Sequence, residues 1–192
     1  GKLAETGTTV AHCPTVFSRR GITLQHLGAY KQAGVNLGLG TDTFPHNFVE
    51  EMRTAAIVAR VTSGDVHSLS AADLFTIATV GGANALGRDD IGRLAAGARA
   101  DLVLVDVTHQ SMRPLYDPVR SLVYSAAERA IRHVFIDGSE VVRDGKAIAF
   151  DYADACARLE EAQRRSIEKV PRFDWAGRAA SAIMPPTFPT VS

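Results

Sequence analysis

Val35–Asp42 reads VNLGLGTD, an apolar run that stops at Gly40, Thr41 and a lone carboxylate. Val35, Leu37 and Leu39 recur at the period of a short strand, and Gly34 ahead of them has the placing of a helix-terminating glycine. The carboxyl end of a buried strand is where α/β barrels mount their catalytic groups. Aspartate also caps helices, and a helical pattern follows, so Asp42 alone leaves both readings open.

Working outward strengthens the first reading. Upstream, Lys2–Thr6 with Gly7 resembles a last helical turn, and Thr8–Ala11 is a β-branched strand that His12-Cys13-Pro14 interrupts. Thr23–Ala33 then places Leu24, Leu27 and Tyr30 on one helical face. Helix, strand, helix, strand with short helix-to-strand links predicts parallel α/β architecture. Adjacent parallel strands would bring His12 and Asp42 to one mouth, with His46 nearby in the loop Thr43-Phe44-Pro45-His46-Asn47.

Downstream, Phe48, Met52, Ala55, Ala56 and Ala59 mark an amphipathic helix. Ser70 and Asp73 form a capping box for the next one, which carries Leu74, Ile77 and Ala78 and ends at Gly87. The pair Gly81-Gly82 weakens that helix, which implies close packing against a neighbour. From about Arg88 the period becomes two. Ile91–Leu94, Ala100–Val105, Ser121–Tyr124 and Ile131–Ile136 are strand candidates, and Asp137-Gly138 makes a tight hairpin to Val141–Arg143, with a second turn at Asp144-Gly145. Tyr152–Val170 returns to helical spacing, and the tail from Pro171, with Pro185, Pro186 and Pro189, reads as extended. The expected division is therefore 1–87, 88–150 and 151–192.

The 21 basic and 21 acidic residues cancel, which gives no reason to expect nucleic acid or a membrane surface as partner. No apolar run approaches the ~20 residues of a membrane span, and GKLAETG is no signal peptide. Cys13 and Cys156 fit neither a zinc ribbon nor a disulfide framework, so a reducing, cytoplasmic setting is expected. The chain opens without Met, inside what reads as the end of a helix, and the expectation is a fragment.

His12, Asp42 and His46 lack a recognised metal-ligand spacing as a trio, and both histidines read as hydrogen-bonding or substrate-contact groups. His26, His67, His109 and His133 read as exposed or structural, and Arg19-Arg20 as a loop pair able to meet an anionic or carbonyl group. Nothing supports a cysteine nucleophile or a Gly-rich phosphate loop.

LAETGTTVAHCP at Leu3–Pro14, GVNLGLGTD at Gly34–Asp42, GGANALG at Gly81–Gly87 and IGRLAAGARADLVLVD at Ile91–Asp106 follow one another in an order that resembles the amidohydrolase superfamily. The branch they resemble holds the cytosine/guanine-type deaminases, S-adenosylhomocysteine deaminases and triazine chlorohydrolases. Asp117-Pro118, Leu122-Val123-Tyr124, Val134–Gly138 and Val141–Gly145 continue the pattern.

The resemblance implies an α/β fold: the C-terminal part of a metal-dependent (β/α)8 barrel, with its seventh and eighth strands ending at His12 and Asp42, plus a share of a small antiparallel β-sandwich. It implies that Asp42 ligates a divalent metal, zinc or else iron, and takes the proton of a metal-activated water that attacks a ring carbon. It implies His12 beside the site without ligating metal, and Thr43 and His46 in a substrate-facing loop. The expected activity is deamination of a nitrogen heterocycle. The alternatives are an inactive fragment or scaffold, a chlorohydrolase, or a cyclic amidase.

Two segments depart from the branch pattern. Pro14 is followed by Thr15-Val16-Phe17-Ser18 where Pro-x-Ser-Asn is usual, and Asp42 by Thr43-Phe44-Pro45-His46-Asn47 instead of a Gly- or Ser-led loop. No two histidines lie two apart, so the family's His-x-His pair is expected upstream of Gly1, in an N-terminal half that would be this chain's partner. Exposed barrel edges further predict aggregation or a homo-oligomer.

Overall fold

The computed structural model describes residues 1–188. The chain opens with α1 (Lys2–Glu5), turns at Gly7 with φ 65°, and enters β1 (Thr9–His12). Pro14, whose fixed φ suits a first helical position, then starts α2 (Pro14–Ser18), a short helix that the proline did not lead us to expect. The next helix, α3 (Leu27–Gln32), begins four residues later than its apolar spacing predicts, because His26 takes a left-handed φ of 60°. Gly34, at φ 76°, reverses the chain into β2 (Asn36–Leu39).

β1 and β2 pair in parallel, with Thr9 opposite Asn36 and His12 opposite Leu39. Asn36 ties the base of the pair by donating to Thr9 Oγ1 at 2.8 Å and to the Gly81 carbonyl at 3.1 Å.

Two longer segments cover these strands. α4 (Phe48–Ser63) is capped by Asn47, whose side chain accepts from the Glu50 N–H, and closed by Gly64 at φ 67°. The expected Ser70–Asp73 capping box opens α5 (Ala71–Thr76), which continues through a π-helical turn at Ile77–Gly81 into α6 (Gly82–Ala85). Leu27, Val35, Leu37, Ala55, Ala56, Ala59, Leu69, Leu74 and Ile77 form the main core, with Val10 and Leu39 packed against it. The small residues of α4 let the helix approach the strands closely, and Gly81 does the same for the π-helical turn. A Cβ on Gly81 would collide with the Leu37 carbonyl, whereas one on Gly82 would meet nothing within 4 Å.

Past Arg88 the structure departs twice from the expected strands. Ile91–Leu94 forms no strand; Gly92, at φ 73°, lies so close to the Thr79 carbonyl that a Cβ would be 2.8 Å away. Ser121–Tyr124 is helical, with α7 (Pro118–Ser121) running into a π-helical turn at Leu122–Ala126. Asp117 accepts from the N–H groups of Val119 and Arg120, and Asp-Pro makes a strong helix start. That start wins over the strand reading of a short apolar run, and Val123 is fully buried against Val49 and Met52 of α4.

The antiparallel sheet consists of β3 (Leu102–Val105), β4 (Ile131–Ile136), β5 (Ser139–Arg143) and β6 (Lys146–Ala147), in that order. Both Asp-Gly turns have positive φ at both residues, 51° and 79° at Asp137-Gly138 and 49° and 74° at Asp144-Gly145, as a type I′ hairpin requires.

The chain divides into two compact units, Gly1–Lys146 and Ala147–Ser192. The change of period near Arg88 lies inside the first, because α4 shares a core with Val123 and Ile131. The second unit holds α8 (Tyr152–Phe173) and α9 (Ala180–Ile183). Pro171, expected to begin an extended tail, instead lies in the last turn of α8, which the Asp174 N–H closes on the Val170 carbonyl. Pro189 lies outside the described residues.

Candidate functional site

β2 ends at Leu39, and the chain then turns through Gly40 and Thr41 to Asp42, which has a left-handed φ of 58° that aspartate tolerates. Asp42 is exposed, and its carboxylate takes part in no hydrogen bond or ion pair among the described residues. It does not cap the following helix; Asn47 does. Of the two readings open for Asp42 in the sequence, capping is thereby removed.

The loop after Asp42 is fastened on both sides. His46 Nδ1 and Thr41 Oγ1 are hydrogen-bonded at 3.0 Å, so His46 folds back onto the start of its own loop. The Thr43 N–H donates to the Thr41 carbonyl at 2.6 Å, which makes the turn tight. Arg19 donates to the Phe44 carbonyl at 3.1 Å and lies over the Phe44 ring. Arg19, which the sequence leaves open between a solvated loop residue and a group meeting an anion or carbonyl, is engaged in holding this loop. At the other end Asn47 donates to Glu128 at 2.6 Å, a bond that holds the Glu128 carboxyl below its ordinary range.

On β1 the residues alternate: Val10 packs on the helix-covered core, and His12, two residues on, is 3% exposed. Its Nε2 has no partner among the described residues, and burial pushes its pKa down to about 4. His12 reaches the turn through its backbone, its carbonyl accepting from the Gly40 N–H at 2.9 Å. The side chain beside the Asp42 turn is Cys13, whose Sγ lies 3.2 Å from where a Cβ on Gly40 would stand. Burial, and then the carboxylates of Asp42 and Glu51, push the Cys13 thiol up.

Glu51 was not expected here. It is 1% exposed, buried in α4, and accepts from the Thr15 N–H at 3.1 Å. Its position was readable, because residue 51 falls within the apolar stripe of Phe48, Met52, Ala55 and Ala59 at helical spacing.

Among the described residues no group of three or more His, Cys, Asp or Glu side chains is gathered closely enough to hold an ion. Asp42 combines exposure, freedom from internal bonds among the described residues and a place just past a strand end. No helix of the described residues is long and apolar enough to cross a membrane.

A parallel strand pair with an unengaged carboxylate just past its carboxyl end, followed by an antiparallel sheet, makes this a mixed α/β protein. The chain belongs to the amidohydrolase family, whose model matches residues 2–141. It is 36% identical to a 5-methylthioadenosine/S-adenosylhomocysteine deaminase of Halobacterium salinarum, over 85% of this chain and 38% of that protein. With the corresponding deaminase of Natronomonas pharaonis the identity is 37%, over 90% and 40% of the two chains.

Among solved structures, a zinc-bound adenosine deaminase from Xanthomonas campestris superposes with a TM-score of 0.80 at 34% identity, over 85% of this chain and 38% of that one. A zinc-complexed atrazine chlorohydrolase from Arthrobacter aurescens gives 0.74 at 25%, over 82% and 36%. The chain thus spans about 40% of the length of the curated relatives it matches.

Proposed function

We propose that this chain is the C-terminal part of a metal-dependent aminohydrolase that deaminates a nitrogen heterocycle, of the adenine type carried by nucleosides and their thioethers. In this reading β1 and β2 are the last two strands of a (β/α)8 barrel, and β3–β6 belong to a small β-sandwich beside it. The observation that carries it is the Asp42 carboxylate, free at the end of β2 while Asn47 does the capping. The names of the relatives and the zinc held by the structural neighbours support the chemistry.

When bound, a divalent ion, zinc before iron, supplies a water acidified from a pKa of ~15.7 toward ~7. Asp42 would hold that ion together with residues of a longer chain, since such sites use about three protein ligands. Besides helping to hold the ion, the Asp42 carboxylate would accept the proton of the attacking water and return it to the departing amino group, which leaves as ammonia. Thr43 and His46 face the substrate from the anchored loop, His46 oriented by Thr41. His12 contributes through its carbonyl, which fixes Gly40 and so the start of the Asp42 turn.

The test is ammonia release by the full-length protein from S-adenosylhomocysteine, 5′-methylthioadenosine and adenosine, with chloride release from atrazine as the competing outcome. Asp42→Asn should lower turnover at least ~100-fold, the scale of a lost general base. Metal content should fall with it, while the fold persists because asparagine suits φ 58°. Wild-type turnover and metal content in that variant would remove the role assigned to Asp42.

A further inference from the structure

A carboxylate buried on the apolar stripe of a helix is costly unless something compensates it. Glu51 is 1% exposed, and its one hydrogen bond among the described residues is from the Thr15 N–H at 3.1 Å. That amide is a specific liability. α2 begins at Pro14, which has no N–H, and its N-cap residue Cys13 offers no side-chain bond, so Thr15 carries the first free amide of the helix. Glu51 caps α2 from another helix, and the negative charge also suits the positive end of the helix dipole. A second bond joins the same two segments one turn along α4, where the Thr15 hydroxyl donates to Thr54 Oγ1 at 3.3 Å.

The capped turn matters because of what precedes it. Cys13 presses its Sγ against Gly40, and the His12 carbonyl holds the Gly40 N–H, so the β1–α2 turn forms one wall of the Asp42 turn.

We infer that Glu51 is a positioning residue: by accepting the Thr15 N–H it locks the Cys13 turn against Gly40, and thereby sets the place of Asp42. The inference rests on the function proposed for Asp42 only in its kinetic consequence. The clamp itself is read without any substrate.

The experiment uses the full-length protein with Glu51→Gln, which keeps an oxygen acceptor of the same length without the charge, and Glu51→Leu, which removes the acceptor. Labelling of Cys13 by iodoacetamide is followed by peptide mass, alongside the thermal midpoint and the metal content. Glu51→Leu should speed Cys13 labelling at least ~5-fold, the consequence of a local opening made easier by a lost charge-assisted bond. Glu51→Gln loses the same charge beside the thiol but keeps the acceptor, so it is the reference for the clamp and should label several-fold more slowly than Glu51→Leu.

In the deaminase assay Glu51→Leu should lower kcat ~10- to 100-fold with KM little changed, the scale of a small misplacement of reacting groups, and Glu51→Gln should restore it. Equal labelling in the wild type and Glu51→Leu overturns the clamp. Equal acceleration in both variants overturns it as well, because charge and not the hydrogen bond would then govern Cys13. If labelling behaves as expected but no variant, wild type included, releases ammonia, the clamp stands and the proposed deamination fails. Should Glu51→Leu not fold, Thr15→Pro removes the same N–H from the other side and must give the same labelling.

Discussion

Adjacent glycines in one helix should respond to the same substitution with opposite signs. Gly81 and Gly82 both have helical backbone angles, φ −59° and −65°, so by propensity alone alanine should stabilise each by about 0.5–1 kcal/mol. Packing separates them. A Cβ on Gly82 meets nothing within 4 Å, whereas one on Gly81 would lie 3.1 Å from the Leu37 carbonyl carbon, nearer still to its oxygen, and 3.5 Å from the Thr76 carbonyl. Both obstacles are backbone, so no side chain can rotate away. Relief requires β2 or the π-helical turn to move by about 1 Å, at a cost of about 3 kcal/mol, the upper part of the usual range for overpacking.

Gly81→Ala should therefore lower stability by about 3 kcal/mol and Gly82→Ala raise it slightly, read as urea midpoints at unchanged m. Since the strain falls on the strand that carries Asp42, Gly81→Ala should also lose turnover while Gly82→Ala keeps it. Two glycine variants that move together in stability would refute the close approach of the π-helical turn to β2.

His12 predicts a pH dependence. Burial lowers its pKa from 6.5 to about 4, so between those values the unfolded chain binds a proton that the folded chain excludes. The stability due to this group is complete above pH 6.5 and is lost as the pH falls through 4, by up to about 3 kcal/mol. His12→Leu should flatten the difference between urea midpoints at pH 7 and pH 5, and an unaltered slope would show that folding leaves the imidazole pKa where the unfolded chain has it. In the first Asp-Gly hairpin, Gly138→Ala forces alanine into φ 79° and should cost about 1–2 kcal/mol in thermal unfolding, while Asp137→Asn at φ 51° should be nearly neutral.

What was legible in the sequence follows from which forces act locally. The VNLGLG strand, the Asn-led helix with its alanine stripe, the Ser70–Asp73 box and the two Asp-Gly turns are each decided by neighbours within a few residues, and each is present. Ser121–Tyr124 failed as a strand because apolarity over four residues does not distinguish strand from helix, and the deciding residues, Asp117 and Pro118, stood just outside the window. Ile91–Leu94 failed because Gly92 is fitted to the Thr79 carbonyl, a partner twelve or more positions away that no local pattern reports.

The candidate site divides along the same line. Asp42 was found because the end of an apolar run is a local event. What surrounds His12 depends on the alternation of β1 and on the helices that cover it, which its neighbours in sequence do not report. By the period of two His12 lies on the same side of β1 as Val10, which packs against the core, and Cys13 is the residue whose Sγ reaches Gly40. Glu51 obeys the opposite logic, since helical period puts it on the apolar stripe, where a carboxylate makes sense only if something on the facing segment needs an acceptor. The amide that needs it is created by Pro14, which ends β1, starts α2 and leaves Thr15 as the first unsatisfied N–H. A proline that sequence reading treats as punctuation is thus the reason a buried acid stands within reach of the Asp42 turn.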